Sequence, residues 1–408
     1  MSESLKIRHF EDVQSTQSFQ SFEAWMQDTL YAPNTGYYTR SQPVGGLGLN
    51  DASRGDFITA PELSPLFAQC LARQCAELFQ RGVPQNIFEF GAGTGALAAE
   101  LLTALAELGY PQVQYAIVDV SQSLRAMQSQ RLAPFNAGET RVRWLDALPD
   151  TIEGIIIGNE VLDAMPCAAI TLRHGEVFER GVVQDLGKTP ENAANCPLAW
   201  CERSAPSSLR QDVMNRLGAL KTAQPEQYAT ILAHPNYETE INRQSHAFIA
   251  TLAARLKRGA MIFVDYGFHS AEYYHPQRAG GTLMAHRQHQ ASTDVLSHAG
   301  EADITAHVDF SDIYHAAASA NSTIKLAGFA TQGRFLLNCG LLEVFTQMNT
   351  KDNYKLAQSV HTLVSESEMG ELFKAIGFEC GLSITESDCW LGFAQGDRSA
   401  QLVDTAPC

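Results

Sequence analysis

One short segment, IFEFGAGTGALAAELL at residues 87–102, constrains the fold of this chain more than any other. Residues 87–90 are typical of a buried strand, and residues 96–108 favour a helix that stops at a glycine and a proline. Between them lie three glycines in five positions, which let the backbone approach a ligand where a Cβ would clash. This order predicts the strand, glycine turn and helix that open a nucleotide-binding βαβ unit.

The next predicted strand, residues 115–120, indicates a cofactor that contains adenosine. Asp119 lies at its carboxyl end, where a carboxylate can accept hydrogen bonds from a ribose diol. The alternative is that Asp119 caps the helix that follows. We predict that the cofactor contacts Gly91, Ala92, Gly93, Thr94, Gly95, Asp119, Val120 and Ser121.

Glu89 helps to identify the cofactor, because GAGTGA fits both the dinucleotide pattern and the shorter GxGxG pattern. A carboxylate two residues before the first glycine would repel a pyrophosphate on the helix N-terminus. The same carboxylate could instead pair with the ammonium group of S-adenosyl-L-methionine. The sequence therefore favours this methyl donor over a nicotinamide dinucleotide, unless Glu89 is a strand-end acid that faces solvent.

Three further strands are predicted at residues 142–145, 154–157 and 260–264, and polar residues follow each of them. Open α/β sheets bind ligands at this carboxyl edge. We expect Asp146 and Ala147 to read the adenine edge, although Asp146 could equally be a helix cap. Asn159 is predicted to meet the methionine end of the donor. Tyr266 is predicted to line the acceptor pocket, with a core-covering role as the alternative.

Composition excludes several classes of protein. The formal net charge of −16 over 408 residues disfavours binding to nucleic acid phosphates. No apolar run approaches the ~20 residues that a membrane helix needs, and nine scattered cysteines without a CxxC pair argue against a disulfide framework or a metal site. The first 28 residues carry five acids and no apolar segment, so we expect neither a signal nor a transit peptide, and a cytoplasmic location.

The order of predicted elements divides the chain into four parts. We expect an N-terminal helical arm with a mobile glycine-rich loop at residues 43–56, and a cap that covers the substrate inserted into the α/β domain. The cap is predicted to hold a hairpin over residues 169–186 and a weakly structured stretch near 187–225. The predicted parts are 1–80 (arm and loop), 81–165 (first part of the Rossmann-like domain), 166–245 (cap) and 246–408 (remainder of the domain). Further elements are predicted as helices over 245–258, near 311–327 and near 335–349, and as a closing strand near 389–394.

Several segments together resemble one family. They are GDFITAPE at 55–62, EFGAGTG at 89–95, GNEVLDAMP at 158–166, VDYG at 264–267, DITAHVDF at 303–310 and ATQGRFLLNCG at 330–340. In this order they resemble the MidA family of methyltransferases, over roughly residues 24–396. The resemblance implies a Rossmann-like class I fold and S-adenosyl-L-methionine as methyl donor, with S-adenosyl-L-homocysteine as product. Because mitochondrial members are implicated in complex I assembly through arginine methylation, it also implies a protein substrate such as a respiratory complex subunit.

The acceptor hypothesis rests on carboxylates at the sheet edge. Glu160 and Asp163 could hold an arginine guanidinium by bidentate pairing, with Glu62 as a third carboxylate, or they could cap a following helix. His307 could face the site on a strand-like alternation, or it could be a packing residue. The choice of arginine rests on the resemblance. A small metabolite or a protein lysine as acceptor, and an assembly factor that binds the cofactor without turnover, remain alternatives.

Overall fold

The computed structural model of the chain describes residues 8–9, 18–40, 59–137, 141–185, 197–348, 353–382 and 389–403. The loop predicted at residues 43–56 lies outside them. The strands are β1 (Arg8–His9), β2 (Gln20–Ser21), β3 (Asn86–Phe90), β4 (Gln114–Val118), β5 (Arg141–Trp144), β6 (Ile152–Asn159), β7 (Ala168–Arg173), β8 (Glu176–Gln184), β9 (Leu198–Ser204), β10 (Tyr237–Ile241), β11 (Leu256–Phe268), β12 (Met284–Arg287), β13 (Gln290–Ser292), β14 (Asp303–Thr305), β15 (Val308–Asp309), β16 (Ile324–Thr331) and β17 (Phe373–Cys380).

The helices follow the same numbering along the chain. They are α1 (Phe22–Tyr31), α2 (Ala60–Leu63), α3 (Pro65–Gln80), α4 (Ala96–Glu107), α5 (Gln122–Leu132), α6 (Ser207–Ala223), α7 (Pro225–Ala233), α8 (Arg243–Arg255), α9 (Ser270–Tyr273), α10 (Phe310–Ala320), α11 (Gln332–Asn338), α12 (Leu341–Gln347), α13 (Asn353–Val364), α14 (Met369–Leu372) and α15 (Ala400–Val403). Short 3₁₀ turns lie at Ala133–Ala137, Pro276–Arg278 and Leu391–Phe393.

The main sheet has the strand order β5-β4-β3-β6-β11-β17-β16. Its strands from β5 to β11 are parallel, whereas β17 is antiparallel to both of its neighbours. A parallel sheet with helices on both faces and one reversed strand near its edge is the Rossmann-like class I arrangement that the family resemblance implied. The carboxyl ends of β3 and β6 lie side by side in it.

Burial on both faces explains why the strands of this sheet are so apolar. In β6, Ile155 and Ile157 face a core formed with α3 and α4, while Ile152 and Ile156 face a second core formed with α8 and α10. Alternate residues of one strand therefore enter opposite cores, as the period of two requires. Helix α3 packs against α4, which fixes the N-terminal segment on the glycine-turn side of the sheet.

The chain between β6 and α8 contributes four strands, β7 to β10, to a second sheet, which β1 and β2 from the N-terminal part complete. Its order is β1-β9-β8-β7-β10, and β2 adds to β8 on the side. The hairpin predicted over residues 169–186 is confirmed as β7 and β8. Strand β2 joins the N-terminal arm to this sheet, whereas α2 and α3 pack on the Rossmann-like core. The domain boundaries at 80, 165 and 245 stay predictions.

Several predicted elements are wrong. Within the stretch expected to be weakly structured, the structure has β9 and the 17-residue helix α6, which buries Leu209, Val213, Leu217 and Leu220. Those leucines and valine recur every three or four residues, a helical signal present in the sequence. The predicted helix over 245–258 ends at Arg255, because β11 begins at Leu256 and continues through Asp265 and Tyr266.

The C-terminal predictions also need correction. The helix near 311–327 ends at Ala320 and gives way to β16, and the helix near 335–349 is broken at Gly340, which has φ +84°. Residues 391–393 form a 3₁₀ turn, and the closing strand is β17. Strand β17 lies between β11 and β16 and pairs with both of them. This tertiary pairing stabilises its strand conformation, although its own sequence contains Gly377 and Lys374, which have low strand propensity.

Among the described residues, none of the helices combines the length and the apolar character that crossing a membrane requires.

Candidate functional site

A cleft of about 220 Å³ opens at the carboxyl ends of β3 and β6. The glycine turn, the segment after β6, the arm residues after α1 and the strands β12 and β14 all contribute to its wall. Among the residues of that wall are Tyr37, Tyr38, Arg40, Glu62, Glu89, Gly91, Ala92, Gly93, Thr94, Asn159, Glu160, Asp163, Tyr266, His286 and Asp303. Five of them are carboxylic acids, so the cleft is complementary to cations.

The three glycines of the turn have positive φ angles, which side chains rarely adopt, but the space around each Cα differs. A Cβ on Gly91 would meet Val161 Cγ2 at 2.9 Å, and a Cβ on Gly95 would meet Gln128 at 3.4 Å. A Cβ on Gly93 would meet nothing within 4 Å, because this position borders the cleft. The turn therefore leaves open space beside Gly93 for a ligand.

Glu89 is buried in the wall of the cleft, so the alternative of a solvent-facing acid is wrong. The Tyr115 hydroxyl donates a hydrogen bond of 2.9 Å to its carboxylate. Burial raises the pKa of Glu89 to about 8. A bound cation would favour the charged form of this group.

Asp119 is held by Gln128, a residue that the sequence analysis missed. The Gln128 amide donates to Asp119 at 2.7 Å and to the Gly93 carbonyl at 2.9 Å, and its oxygen accepts from Trp144 Nε1 at 2.8 Å. Asp119 also accepts from the backbone N–H of Ser121, which is itself the N-cap of α5. Burial raises the pKa of Asp119 despite these donors. Gln128 thereby ties the glycine turn to the ends of β4 and β5.

Six predicted cofactor contacts do not line the cleft. The Asp146 side chain is 90% exposed and pairs with Arg125 at 2.6 Å, and no helix follows it, so it is not a cap. Val120 is 70% exposed. The others are Gly95, Asp119, Ser121 and Ala147. Their proposed contacts with ribose and adenine stay predictions.

Glu160 begins a turn in a left-handed conformation, with φ +52°. Its N–H donates to the Val264 carbonyl at 2.9 Å, and its carboxylate accepts from Asn159 Nδ2 at 3.1 Å and from the Ala60 N–H at 3.4 Å. Burial, with Asp163 nearby, raises the pKa of Glu160 to about 8. No helix follows this turn before β7, so the helix-cap alternative is wrong. A strained non-glycine residue lining a cleft indicates a functional constraint.

Asp163 lies in the same turn and is only 5% exposed. The Tyr266 hydroxyl donates to its carboxylate, and burial raises the pKa of Asp163 to about 6. Its Oδ1 atom has no hydrogen-bond partner among the described residues, and the same holds for Asn159 Oδ1. Buried polar atoms without partners are rare in folded proteins. Both atoms belong to residues of the cleft wall, where a ligand could satisfy them.

His307 lies behind this wall. Its ring meets the edge of Tyr266 at 5.2 Å between centroids and lies 5.1 Å from Phe268, and burial lowers the pKa of His307 to about 4. It does not line the cleft, which agrees with the alternative of a packing residue. Tyr266 lines the cleft and also packs on Phe373.

Glu62 is in the cleft wall, but its charge is compensated. The Thr94 hydroxyl donates to its carboxylate, and Arg131 Nη1 lies 3.5 Å from the same oxygen. Glu160 and Asp163 form no ion pair with a cationic side chain in the described part of the chain. This difference separates Glu62, which supports the glycine turn, from the other two acids.

The structure adds residues from distant segments that the sequence analysis did not assign to the site. Tyr38 donates from its hydroxyl to Asp303 at 2.7 Å, although 265 positions separate them. The pair of adjacent tyrosines after the turn at 33–36 was the signal that could have been used. Arg40 and His286 also line the cleft. No group of three or more His, Cys, Asp or Glu side chains suited to a metal ion occurs in the described ranges.

Known proteins resemble this chain over most of its length. A family model described as S-adenosyl-L-methionine-dependent methyltransferase matches residues 70–330. The protein arginine methyltransferase NDUFAF7, mitochondrial, of Danio rerio is 26% identical over 87% of this chain and 82% of its own length. The Drosophila melanogaster homolog is 25% identical over 89% of this chain and 82% of its own length.

A solved structure agrees with the fold. A crystal structure from Burkholderia thailandensis, bound to S-adenosyl-homocysteine, is 41% identical, with a TM-score of 0.80. The alignment covers 94% of this chain and 92% of that one.

Proposed function

This chain belongs to the MidA-type family of S-adenosyl-L-methionine-dependent methyltransferases, and we propose that its acceptor is an arginine side chain of a protein. The enzyme class and the methyl donor follow from the family. The acceptor is inferred from the acidic cleft and from the names of the relatives.

The cleft fits the methyl donor. Open space beside Gly93 can accept the adenosine part of the donor. The donor's ammonium group can pair with the buried acid of Glu89 and with Asn159 Oδ1, which has no partner among the described residues. When bound, the donor supplies an activated methyl group on a sulfonium, so no nucleophilic side chain and no metal are needed. The protein must hold the acceptor nitrogen within about 3–3.5 Å, in line with that methyl group, and exclude water.

The observation that carries the proposal is the pair of acids on the turn after β6. Glu160 and Asp163 line the cleft without a cationic partner among the described residues, and one Asp163 oxygen is buried and unpartnered. A guanidinium is permanently charged and presents paired N–H groups that match a carboxylate. Two carboxylates can orient it and concentrate electron density on the attacking nitrogen.

Transfer also releases a proton from the methylated guanidinium. A carboxylate with a pKa near neutrality can accept that proton, and burial raises the pKa of Asp163 to about 6 and that of Glu160 to about 8. Glu62 is assigned to support of the glycine turn instead, because Arg131 and Thr94 occupy its carboxylate.

We further propose that the partner is a protein such as a respiratory complex subunit, and that the enzyme acts in the cytoplasm. The named relatives are protein arginine methyltransferases, which supports a protein acceptor. The acidic charge of the chain supports a basic acceptor segment.

Mass spectrometry after feeding isotope-labelled methionine tests this function. Cells that lack the gene should lose labelled methylarginine at one or a few protein sites, and a plasmid copy of the wild-type chain should restore it. A copy with Glu160→Gln serves as the matched control and should not restore it. Loss of labelled methyllysine or of a labelled metabolite, with methylarginine unchanged, would overturn the assignment of arginine.

A further inference from the structure

A third carboxylate, Asp303, lies in the wall of the cleft with Glu160 and Asp163. It starts β14, where it pairs in register with His286 of β12. The negative charge of Asp303 contributes to the raised pKa of Glu160, so the two acids are close enough to interact. These three acids come from two separate elements, the turn after β6 and the small sheet of β12 to β14.

The N-terminal arm holds Asp303 in position. The Tyr38 hydroxyl donates to Asp303 at 2.7 Å, and the Tyr38 ring stacks on Tyr31 at 5.4 Å between centroids. The Tyr31 hydroxyl in turn donates at 3.1 Å to the carbonyl of Ala164, next to Asp163. The arm therefore contacts both carboxylate-bearing elements, and the side chains of Tyr37 and Tyr38 bring aromatic rings to the cleft wall.

A guanidinium and an ammonium would use such a wall differently. A guanidinium is planar and has five N–H donors that point outward in one plane, so carboxylates on separate edges can each accept from it. An ammonium is compact and has three donors on one atom. Aromatic faces add attraction for a flat cation, more often an arginine than a lysine. Asp163 Oδ1 is buried and has no hydrogen-bond partner in the described ranges, which is an independent sign that this wall can accept a further donor.

We propose that Asp303, positioned by the Tyr38 hydroxyl, is a third acceptor carboxylate that makes the cleft select a guanidinium over an ammonium. This inference rests on the proposed function, because it assumes that Glu160 and Asp163 hold the acceptor. Asp303 contacts the acceptor directly, and Tyr38 is a positioning residue.

The test uses two chemically defined probes. One is adenosine with an alkyl guanidinium chain on its 5′ carbon, and the other has an alkyl ammonium chain of the same length. Calorimetry should show that the wild-type chain binds the guanidinium probe about 10-fold more tightly, a difference of about 1.4 kcal/mol. Asp303→Asn and Tyr38→Phe should reduce this ratio to about 3-fold or less, with the affinity for S-adenosyl-L-homocysteine unchanged.

Tyr31→Phe is the matched control, because it also removes one arm hydroxyl but leaves the Tyr38 bond to Asp303. It should keep the wild-type ratio. An equal loss in Tyr31→Phe would show that the arm supports the cleft wall as a whole and not through the Tyr38 bond to Asp303, and it would overturn the role of Tyr38. Melting temperatures of all variants identify any that fail to fold.

Glu160→Gln separates this inference from the proposed function. If Glu160→Gln removes the preference and Asp303→Asn keeps it, Asp303 is not an acceptor carboxylate, while the function stands. If the wild-type chain shows no preference for the guanidinium probe, the arginine acceptor itself is contradicted.

Discussion

The backbone N–H of Leu162 donates a hydrogen bond of 2.8 Å to the buried carboxylate of Asp265 on the neighbouring strand. The same oxygen accepts from Val161 at 3.1 Å, and the other oxygen accepts from Tyr266 at 3.0 Å. Asp265 thereby holds the turn in which Glu160 adopts its left-handed conformation. Burial raises the pKa of Asp265 well above its usual range, and the nearby Asp163 adds to this effect.

The first prediction concerns this support. Asp265→Asn leaves one acceptor oxygen for three N–H donors, so at least one buried donor loses its partner. This loss should lower the free energy of unfolding by about 1–3 kcal/mol. We expect lower stability in urea denaturation and a loss of methyl transfer by the folded fraction. Asp309→Asn is the matched control, since Asp309 caps α10 outside the cleft. Asp309→Asn should lower stability but keep methyl transfer. Wild-type methyl transfer by Asp265→Asn would contradict the role of Asp265 in holding the turn.

The second prediction separates donor binding from transfer. Glu160→Gln keeps the size of the side chain but cannot take the negative charge that a bound guanidinium favours, so the affinity for S-adenosyl-L-homocysteine should change little. Transfer to a validated protein substrate should fall by about 10²-fold or more, comparable to the loss of one preorganised electrostatic contact. Asp163→Asn should show the same pattern more weakly. Lower thermal stability with unchanged transfer would instead make Glu160 a structural residue.

The third prediction is a pH dependence of stability. The pKa of Glu160 is about 8 in the folded protein, against 4.5 for an unperturbed glutamate. Between these pH values the folded chain keeps a proton on Glu160 that the unfolded chain has released. The contribution of Glu160 to the free energy of unfolding is therefore complete below about pH 4.5 and is lost as the pH rises through 8.

Glu160→Gln removes this titration. Its unfolding free energy relative to wild type should therefore rise between pH 5 and pH 9, by about 1 kcal/mol or more. Urea denaturation of both proteins across this range measures the difference. Because Glu89 titrates in both proteins, its effect cancels. A difference that stays constant with pH would show that Glu160 is ionised throughout.

The fourth prediction concerns the space beside Gly93. Gly93→Val should abolish binding of S-adenosyl-L-homocysteine, because the new side chain would enter the cleft. Gly109→Val is the matched control: Gly109 also has a positive φ and open space around its Cβ, but it follows α4 outside the cleft. Both variants should lose about 1–2 kcal/mol of unfolding free energy to backbone strain. Calorimetry that finds equal ligand binding in the two variants would refute the position of the donor.

The sequence by itself determined the nucleotide-binding half of the fold and the edge at which the site lies. Strand β3, the glycine turn and α4 follow from local periodicity and from glycines that tolerate positive φ. Once β3 and β6 are parallel neighbours, their carboxyl ends must meet at one edge, and this brings Glu89 close to Asn159, Glu160 and Asp163. The predicted carboxylates at this edge of the sheet follow from the same reasoning.

Only the tertiary structure decided which side chains complete the site and which acids remain available. Gln128, Asp265 and Asp303 make contacts with residues tens to hundreds of positions away, such as Gly93 for Gln128, and local sequence patterns do not predict such contacts. Strand β17 was not predicted for the same reason, because its conformation depends on pairing with β11 on one side and β16 on the other. Glu62 and Glu160 look alike as isolated acids, but among the described residues Glu62 pairs with an arginine and Glu160 does not. Burial and charge compensation are properties of the packed chain, and they set the chemistry of each acid.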